Sequence, residues 1–224
     1  MLEKIDLNCD MGEGYTTDAL IMPLISSANI ACGYHAGGGE LMRQTIRLAL
    51  QHGVAIGAHP SFEDKEGFGR REMHLSSDEI YQIVLDQVNI MRKAAAEEGA
   101  KLHHVKPHGA LYNTSAKNEV VAKAIAKAVK DVDTGLILFG LKNSHSIAAA
   151  KNIGLNTAEE AFADRRYESD GSLTPRSQPG ACLTEIRAVL DQVKKIKADT
   201  WCIHGDGPHA VDFAKALHEL KTLQ

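Results

Sequence analysis

Long hydrophobic runs and an excess of positive charge are both missing from this sequence of 224 residues. No apolar stretch approaches the ~20 residues that a membrane-spanning helix needs. The 25 lysines and arginines are outnumbered by 29 aspartates and glutamates, giving a formal net charge of −4. Nucleic acids and anionic membranes require a basic surface, so we expect a protein that binds neither.

Paired cysteines are lacking too. The four cysteines lie far apart and form no CxxC motif, which is typical of reduced thiols rather than of a disulfide framework or a zinc knuckle. The opening MLEKIDLNCD carries mixed charges and does not resemble a signal peptide. These features predict a cytoplasmic protein, and the length suits a single domain over residues 1–224.

Familiar catalytic signatures are also absent. The sequence contains no HExxH zinc motif, no GxSxG nucleophile elbow and no GxxxxGKS/T phosphate loop. GDGPHA (205–210) and AGGGE (36–40) each precede a predicted helix and could present backbone amides to an anion, but neither pattern is specific. Any nucleotide must therefore bind in an unfamiliar cradle.

Short β-prone runs alternate with helical patterns along the whole chain. The predicted strands are KIDLN (4–8), ANIAC (28–32), VAIGA (54–58), HHVK (103–106), GLILF (135–139), NTAEEAF (156–162) and TWCIH (200–204). The predicted helices cover 40–52, 76–99, 116–130, 143–152, 180–197 and 208–222. Strands separated by helices pair in parallel, so the pattern predicts either an open doubly wound sheet or a closed (β/α) barrel.

Polar residues gather where the predicted strands end, and this favours the barrel. In a closed α/β barrel the carboxyl ends of all strands converge on one mouth, whereas in an open sheet they spread along an edge. The residues concerned are Asp6, Asn8, Asp10, Glu13, His35, His59, Lys106, His108, Glu160, Asp164, Arg165, His204 and Asp206. We therefore predict one shared site at the mouth of a seven-stranded barrel.

Lys106 ends an apolar run in VKPHGALYN (105–113). A buried ammonium without a partner is very costly, so an acidic residue must compensate it. We expect Asp6, Asp10 or Glu160 to reach Lys106 from neighbouring strand ends.

The segment SFEDKEGFGRREM (61–73) lies between the third predicted strand and its helix, and it is rich in charge and glycine. Such a composition suits a mobile cover over the mouth. Arg70 is predicted to meet a carboxylate or phosphate there, and Arg71 to lie in solvent.

Two kinds of chemistry fit such a mouth. Its histidines and carboxylates could hold a metal ion for hydrolysis, with Asp10, His59 and His108 as candidate ligands, or they could act as acid and base without one. Lys106 keeps its proton beside carboxylates, so it is expected to steady a negative oxygen rather than form a Schiff base. The residues alone leave the choice between these chemistries open.

Seven motifs in order place the chain beside a known family. They are IDLNCDMGEGY, SANIACGYHAGG, GVAIGAHPSF, GFGRR, HVKPHGALYN, EAFADRRYESDGSLTPRS and HGDGPHAV. Together they closely resemble the LamB/YcsF family, the A subunit of prokaryotic 5-oxoprolinase. The resemblance implies an α/β fold, a distorted seven-stranded (β/α) TIM-like barrel of the glycoside hydrolase/deacetylase type. It also implies a hydrolase that opens the lactam of 5-oxoproline to L-glutamate with ATP, in company with B and C partner subunits.

That reaction would assign roles to the residues of the mouth. Phosphorylation of the lactam oxygen by ATP would activate the ring for attack by water, with Mg²⁺ on the phosphates. The implied catalytic residues are Asp10, His59, Lys106, His108 and Asp164. The implied substrate-binding or nucleotide-binding residues are Asp6, Asn8, Glu13, His35, Arg70, Glu160, Arg165, His204 and Asp206.

Within this scheme Lys106 and Arg70 would balance negative charge, and His59 or His108 would move protons. Asp10, Glu13 and Asp164 would orient water or Mg²⁺. Replacing Lys106 by methionine is expected to leave the fold intact and abolish turnover. Two alternatives stay open, a metal-dependent deacetylase-like hydrolase that acts alone and a noncatalytic subunit that only binds the lactam.

Overall fold

The computed structural model describes residues 5–222, and in it seven parallel strands close into a barrel. The strands are β1 (Leu7–Met11), β2 (Ser27–Ala31), β3 (Ala55–His59), β4 (His104–Val105), β5 (Ile137–Leu141), β6 (Asn156–Phe162) and β7 (Thr200–Ile203). Each strand pairs with its neighbour in sequence, and β7 pairs with β1 in the register Leu7 to Trp201 and Cys9 to Ile203. The predicted closed barrel is confirmed.

Helices follow the strands and cover the outside of the barrel. They are α1 (Asp18–Ile21), α2 (Gly39–Gln51), α3 (Ser77–Glu97), α4 (Gly109–Lys117), α5 (Glu119–Val132), α6 (His145–Asn152), α7 (Ile186–Lys195) and α8 (Ala210–Thr222), with a 3-10 turn at Met22–Leu24. The capping box predicted at Ser76 and Glu79 is present at the start of α3. Within residues 5–222, no helix combines the length and apolar character needed to cross a membrane.

The first strand lies further along the chain than predicted. It begins at Leu7 and continues to Met11, whereas the prediction covered residues 4–8, of which residue 4 lies outside the described residues. Leu7, Cys9 and Met11 belong to the apolar core. Asn8 and Asp10 alternate with them and hydrogen-bond to side chains of other strands. The polar residues are thus part of the strand, because its alternation has a period of two.

Two helix predictions also need correction. The helix predicted at 116–130 is two helices, separated at Asn118, whose side chain accepts hydrogen bonds from the backbone of Val120 and Val121 at the start of α5. The helix predicted from residue 180 begins at Ile186. The preceding segment is instead a long loop with an antiparallel bridge between Arg165 and Cys182.

The interior of the barrel is filled by a hydrogen-bonded polar layer. Branched aliphatic side chains commonly occupy this place in α/β barrels. Here Asn8 Nδ2 donates to Glu160 Oε1 at 2.9 Å and to Thr200 Oγ1 at 2.8 Å. Asn29 Nδ2 donates to Asn8 Oδ1 at 2.8 Å, and His104 Nε2 donates to Asn29 Oδ1 at 2.8 Å. All five side chains are buried, so each depends on its partners inside the barrel.

His104 fits inside the barrel because the opposite residue is a glycine. A Cβ atom on Gly57 would lie 2.0 Å from His104 Nε2. The imidazole also stacks on Phe139 with the ring centroids 4.2 Å apart, and Asn29 holds it. The ring has no room to move away, so position 57 accepts no side chain.

We predict that Gly57→Ala destabilises the barrel. The added methyl group must displace the His104 ring and its hydrogen bond to Asn29, which is expected to lower the free energy of unfolding by about 1–3 kcal/mol or more. Urea denaturation followed by circular dichroism measures this change. Gly207→Ala is the control, because a Cβ atom there meets no atom within 4 Å and should have little effect. Equal stability of the two variants would contradict the packing argument.

Candidate active site

A cavity of about 520 Å³ opens at the carboxyl ends of the strands. It is lined by residues from distant parts of the chain, including Asp10, Glu13, His59, Arg70, Lys106, His108, Tyr112, Arg165, Arg176, His204 and Asp206. Strand closure brings these residues together, because all seven strands point the same way. The cavity has the size and mixed lining of a small-molecule site.

Lys106 lies at the bottom of this cavity, and its ammonium group is surrounded by acceptors. Lys106 Nζ is 3.1 Å from Asp10 Oδ1 and 3.0 Å from Glu160 Oε1. It also donates to Asn8 Oδ1 at 3.2 Å and to Cys202 Sγ at 3.0 Å. The side chain is only 2% exposed. A lysine is thus accommodated inside the barrel because two carboxylates compensate its charge.

These contacts keep Lys106 and Asp10 ionised. Burial would lower the pKa of Lys106, but Asp10, Cys202 and Glu160 raise it well above its ordinary value. Burial would raise the pKa of Asp10, but His59 and Lys106 lower it well below its ordinary value. The bottom of the cavity thus holds a fixed ammonium–carboxylate pair.

Three residues predicted at the mouth lie elsewhere. Asp6 precedes β1, and its Oδ2 accepts a hydrogen bond of 2.6 Å from Thr200 Oγ1 at the first residue of β7. The prediction that Asp6 reaches Lys106 is wrong, because this is the amino end of the strands. Asn8 and Glu160 are fully buried inside the barrel below the cavity. They contact Lys106 from beneath and do not line the cavity.

Three histidines form a compact cluster on one wall. His108 Nδ1 lies 2.9 Å from His59 Nε2, and the rings of His35 and His108 stack with centroids 3.8 Å apart. Glu13 Oε1 is 3.1 Å from His35 Nε2 and 3.5 Å from His108 Nδ1. Asp10 Oδ2 is 3.3 Å from His59 Nε2. The cluster therefore collects imidazole nitrogens and carboxylate oxygens around one point of the wall.

Burial sets the charge of this cluster. It lowers the pKa of His35 to about 3 and lowers the pKa of His108 well below its ordinary value. For Glu13, burial and the nearby Asp10 raise the pKa well above its ordinary value. Desolvation thus favours the neutral form of each of these groups, and the imidazoles offer lone pairs to a ligand.

The loop 61–73 closes over the histidine cluster. The Phe68 carbonyl accepts a hydrogen bond of 2.9 Å from His108 Nε2. Phe68 has a φ of 56°, which is uncommon for a bulky residue, and Asp64 holds the turn by accepting from the Gly67 amide. A Cβ atom on Gly69 would approach both His35 and His108 to 2.9 Å. The glycine therefore lets the loop lie directly on the imidazoles.

His204 faces the cavity from the end of β7 and is oriented by Asp164. His204 Nδ1 is 2.9 Å and 3.1 Å from the two Asp164 oxygens, and the His204 amide donates to Asp164 Oδ2 at 2.9 Å. Burial would raise the pKa of Asp164, but His204 and Arg176 lower it below its ordinary value. An ionised Asp164 fixes the hydrogen of His204 on Nδ1 and leaves Nε2 as a proton acceptor.

Two arginines meet one carboxylate at the rim. Arg70 Nη2 and Arg176 Nη1 each lie 2.8 Å from Asp206 Oδ2. Arg70 comes from the loop 61–73, so its predicted carboxylate contact is present within the chain. Arg71 instead pairs with the buried Asp64, although its own side chain is largely exposed. The rim therefore carries one site at which two guanidinium groups converge on an anion.

Arg165 is turned to a different task from the predicted one. It borders the cavity, but Arg165 Nη2 donates to the Thr174 carbonyl at 2.6 Å and Nε donates to the Ala181 carbonyl at 3.4 Å. Its guanidinium thus ties together the loop between β6 and α7. The sequence could not reveal this, because both acceptors are backbone atoms.

The sequence model of the LamB/YcsF family matches residues 5–223. This chain belongs to the LamB/YcsF family. It is 51% identical over 237 residues to a protein of Erwinia tasmaniensis named as the A subunit of 5-oxoprolinase, with 99% of this chain and 97% of that protein covered. A protein of Bordetella pertussis with the same name is 49% identical over 238 residues, with 97% and 94% covered.

A solved structure supports the same membership. The lactam utilization protein from Thermus thermophilus superposes with a TM-score of 0.91 at 42% identity, covering 98% of this chain and 96% of that one. Both the fold and the family predicted from the seven motifs are confirmed.

Sequence reasoning missed several residues of this LamB/YcsF site. Arg176 stands in the motif stretch that ends in SLTPRS, but it lies far from any strand end. The spacing of Cys202 indicates only a reduced thiol, yet its Sγ is 3.0 Å from Lys106 Nζ. Asn29 lies mid-strand and donates to Asp10 Oδ1 at 3.0 Å. A polar residue inside an apolar strand was the available signal for Asn29.

We predict that Lys106→Met lowers stability, contrary to the expectation that the fold tolerates it. The substitution leaves Asp10 and Glu160 buried without their cation, which is expected to cost about 3–5 kcal/mol of unfolding free energy. Urea denaturation measures the loss. Adding Glu160→Gln to the same chain removes one buried anion and should restore part of it.

The matched control for this prediction is Lys123→Met. Lys123 pairs with Glu119 on the surface of α5, with both side chains about 60% exposed. Exposed pairs of this kind contribute at most ~1 kcal/mol. Equal losses for Lys106→Met and Lys123→Met would contradict the role of Lys106 as the compensating charge of the barrel.

Proposed function

We propose that this chain is the A subunit of an ATP-dependent 5-oxoprolinase. The enzyme would open the lactam of 5-oxoproline to L-glutamate and convert ATP to ADP and phosphate. Names of relatives support this, since those of Erwinia tasmaniensis and Bordetella pertussis are called the A subunit of 5-oxoprolinase. The name of the relatives also supports B and C partner subunits. Reduced cysteines, three of them buried, support a cytoplasmic location.

The observation that carries the proposal is a cavity with an anion site at its rim and a proton acceptor below it. 5-Oxoproline has one carboxylate and one cyclic amide. Arg70 and Arg176 already converge on the carboxylate of Asp206, so the substrate carboxylate takes this place when Asp206 turns away. The lactam carbonyl then lies between the rim and the ammonium of Lys106.

Activation of the lactam is assigned to ATP. A lactam carbonyl is a poor electrophile, and transfer of the γ-phosphoryl group to its oxygen makes the ring carbon reactive. Water adds to that carbon, the ring C–N bond breaks as the nitrogen takes a proton, and the resulting acyl phosphate is hydrolysed to glutamate and phosphate. The rim arginines are suited to phosphate oxygens as well as to a carboxylate, which supports ATP with Mg²⁺ as co-substrate in this cavity.

The general base in this scheme is His204. The notion that His59 or His108 moves the proton fits the geometry less well, because both nitrogens of each ring already have partners in the chain. His204 has Nδ1 held by Asp164, and its ring lies over Phe162 beside the cavity. Asp164 is therefore a positioning residue for His204 rather than a ligand of Mg²⁺.

Lys106 contributes a fixed charge in this scheme. Its three N–H bonds face four acceptors of the chain, so it forms no new bond to the substrate without losing one. From beneath the cavity it stabilises negative charge that develops on the lactam oxygen. This is a preorganised electrostatic role, because the ammonium is held in place before the substrate arrives.

The first test is reconstitution with the partner subunits. The chain is co-expressed with the proposed B and C subunits and supplied with ATP, Mg²⁺ and 5-oxoproline, and glutamate, ADP and phosphate are measured. We expect equal amounts of the three products, and none when this chain, ATP or 5-oxoproline is omitted. Hydrolysis by the partners alone at the full rate, or by this chain alone without ATP, would contradict the proposal and favour a lactam-binding subunit or a deacetylase-like hydrolase, respectively.

The second test concerns the rim arginines. In the reconstituted complex, Arg70→Gln and Arg176→Gln are each expected to raise the KM for 5-oxoproline by ~10-fold to 100-fold, since each removes a charge-assisted hydrogen bond to the substrate carboxylate. The change in kcat should be smaller. Arg187→Gln on the exposed surface of α7 serves as control and should leave both constants unchanged. An unchanged KM in both rim variants would rule out the rim as the carboxylate site.

A further inference from the structure

The histidine cluster contains two imidazoles whose outer nitrogens both face backbone carbonyls. His59 Nδ1 is 2.6 Å from the Lys106 carbonyl oxygen, and His108 Nε2 is 2.9 Å from the Phe68 carbonyl oxygen. A carbonyl oxygen only accepts hydrogen bonds. Each outer nitrogen must therefore carry its hydrogen, and this fixes the tautomer of both rings.

The inner nitrogens of the same two rings face each other. His59 Nε2 and His108 Nδ1 are 2.9 Å apart, and in the fixed tautomers both carry lone pairs. Carboxylate oxygens flank them, with Asp10 Oδ2 3.3 Å from the first and Glu13 Oε1 3.5 Å from the second. Four electron-rich atoms thus converge, and the hydrogen that burial favours on Glu13 can bridge only one pair of them. A metal cation that displaces this proton satisfies all four together.

The spacing of these atoms matches the coordination shell of a transition metal. Bonds of ~2.0–2.1 Å in a tetrahedral site place neighbouring ligand atoms ~3.3 Å apart. The three separations of 2.9 Å, 3.3 Å and 3.5 Å lie on both sides of this value. Only small movements of the side chains are therefore needed to surround an ion.

We propose that His59 Nε2, His108 Nδ1 and Glu13 Oε1, with Asp10 Oδ2 beside them, bind one divalent transition-metal ion of the Zn²⁺ type at the cavity wall. Imidazole nitrogens suit Zn²⁺ and its neighbours, whereas Mg²⁺ prefers oxygen ligands. Glu13, His59, His108 and Asp10 all line the cavity, so the ion is open to a ligand on that side. This site is distinct from any Mg²⁺ carried on nucleotide phosphates, and it does not depend on the identity of the substrate.

The surroundings of the two histidines resemble the second shell of a metal site. Metal-binding histidines commonly donate their other N–H to a carbonyl or carboxylate, which orients the ring and raises the basicity of the ligand nitrogen. Here the Lys106 and Phe68 carbonyls take that role. The unusual φ of 56° at Phe68 presents its carbonyl to His108. The loop 61–73 therefore acts to fix a ligand.

His35 belongs to the support of the site rather than to its ligands. Its ring is parallel to that of His108, with an interplanar angle of 5°, so one ion cannot lie in both ring planes. His35 also does not line the cavity. Its Nε2 contacts Glu13 Oε1 at 3.1 Å and positions this carboxylate toward His59 and His108.

The test is metal binding by the purified full chain after chelator treatment. Isothermal titration with ZnCl₂ and absorption spectra with CoCl₂ are expected to show one ion per chain, a micromolar or tighter dissociation constant, and the visible bands of a four- or five-coordinate Co²⁺ ion. MgCl₂ should bind far more weakly. His59→Asn, His108→Asn and Glu13→Gln are each expected to lower Zn²⁺ affinity by ~100-fold or more, because each removes a ligand.

Two further variants decide where the ion binds. His52→Asn, at an exposed position after α2, is the control for adventitious surface binding and should leave the affinity unchanged. His204→Asn tests the second group of potential ligands, Asp10, Cys202 and His204. Loss of the Co²⁺ bands in His204→Asn, with retention in His59→Asn and His108→Asn, would overturn the assignment.

Folding of each variant is checked by circular dichroism, and Glu13→Gln provides the mildest change because the shape of the side chain is kept. Absence of saturable Zn²⁺ and Co²⁺ binding to the folded wild-type chain would also overturn the proposal and leave a shared proton as the bridge between the rings. A failed 5-oxoprolinase assay with intact metal binding would contradict only the proposed reaction. The two proposals therefore fail separately.

Discussion

The whole site depends on the buried ammonium of Lys106. It lies inside a closed barrel, within 3.2 Å of Asp10, Glu160 and Asn8, which come from β6 and β1. An uncompensated charge here would unfold the barrel, so strand closure and charge pairing are one event. The pairing also holds Asp10 in its ionised form at the point where the histidine cluster begins.

The polar layer beneath Lys106 explains why this barrel can hold charge at its centre. Asn8, Asn29 and His104 pass hydrogen bonds from one strand to the next at fixed register positions. Such a network is favourable only when each member has a partner, since a buried polar group without one is costly. Gly57 makes room for the His104 ring, so one glycine in β3 affects the position of groups up to the cavity.

The sequence predicted the parts of this structure that depend on local pattern. Strand and helix alternation, the capping box at Ser76 and the convergence of His59, Lys106 and His204 follow from periodicity and chain direction. The pairings that cross the barrel could not be read in advance. Asp6 and Asp10 look equivalent in IDLNCDMGEG, and only the register of β1 against β7 places one below the barrel and the other in the cavity.

The geometry also divides the cavity by the sign of the charge that each part attracts. Arg70 and Arg176 on the rim converge on an anion, whereas the lone pairs of His59 and His108 converge on a cation. Between them lie His204, whose Nδ1 hydrogen is fixed by Asp164, and the charge of Lys106. A substrate with a carboxylate at one end and a polarisable carbonyl at the other is bound in one orientation by such a field. Because the loop 61–73 supplies both Arg70 to the rim and the Phe68 carbonyl to His108, one segment couples the two halves of the cavity.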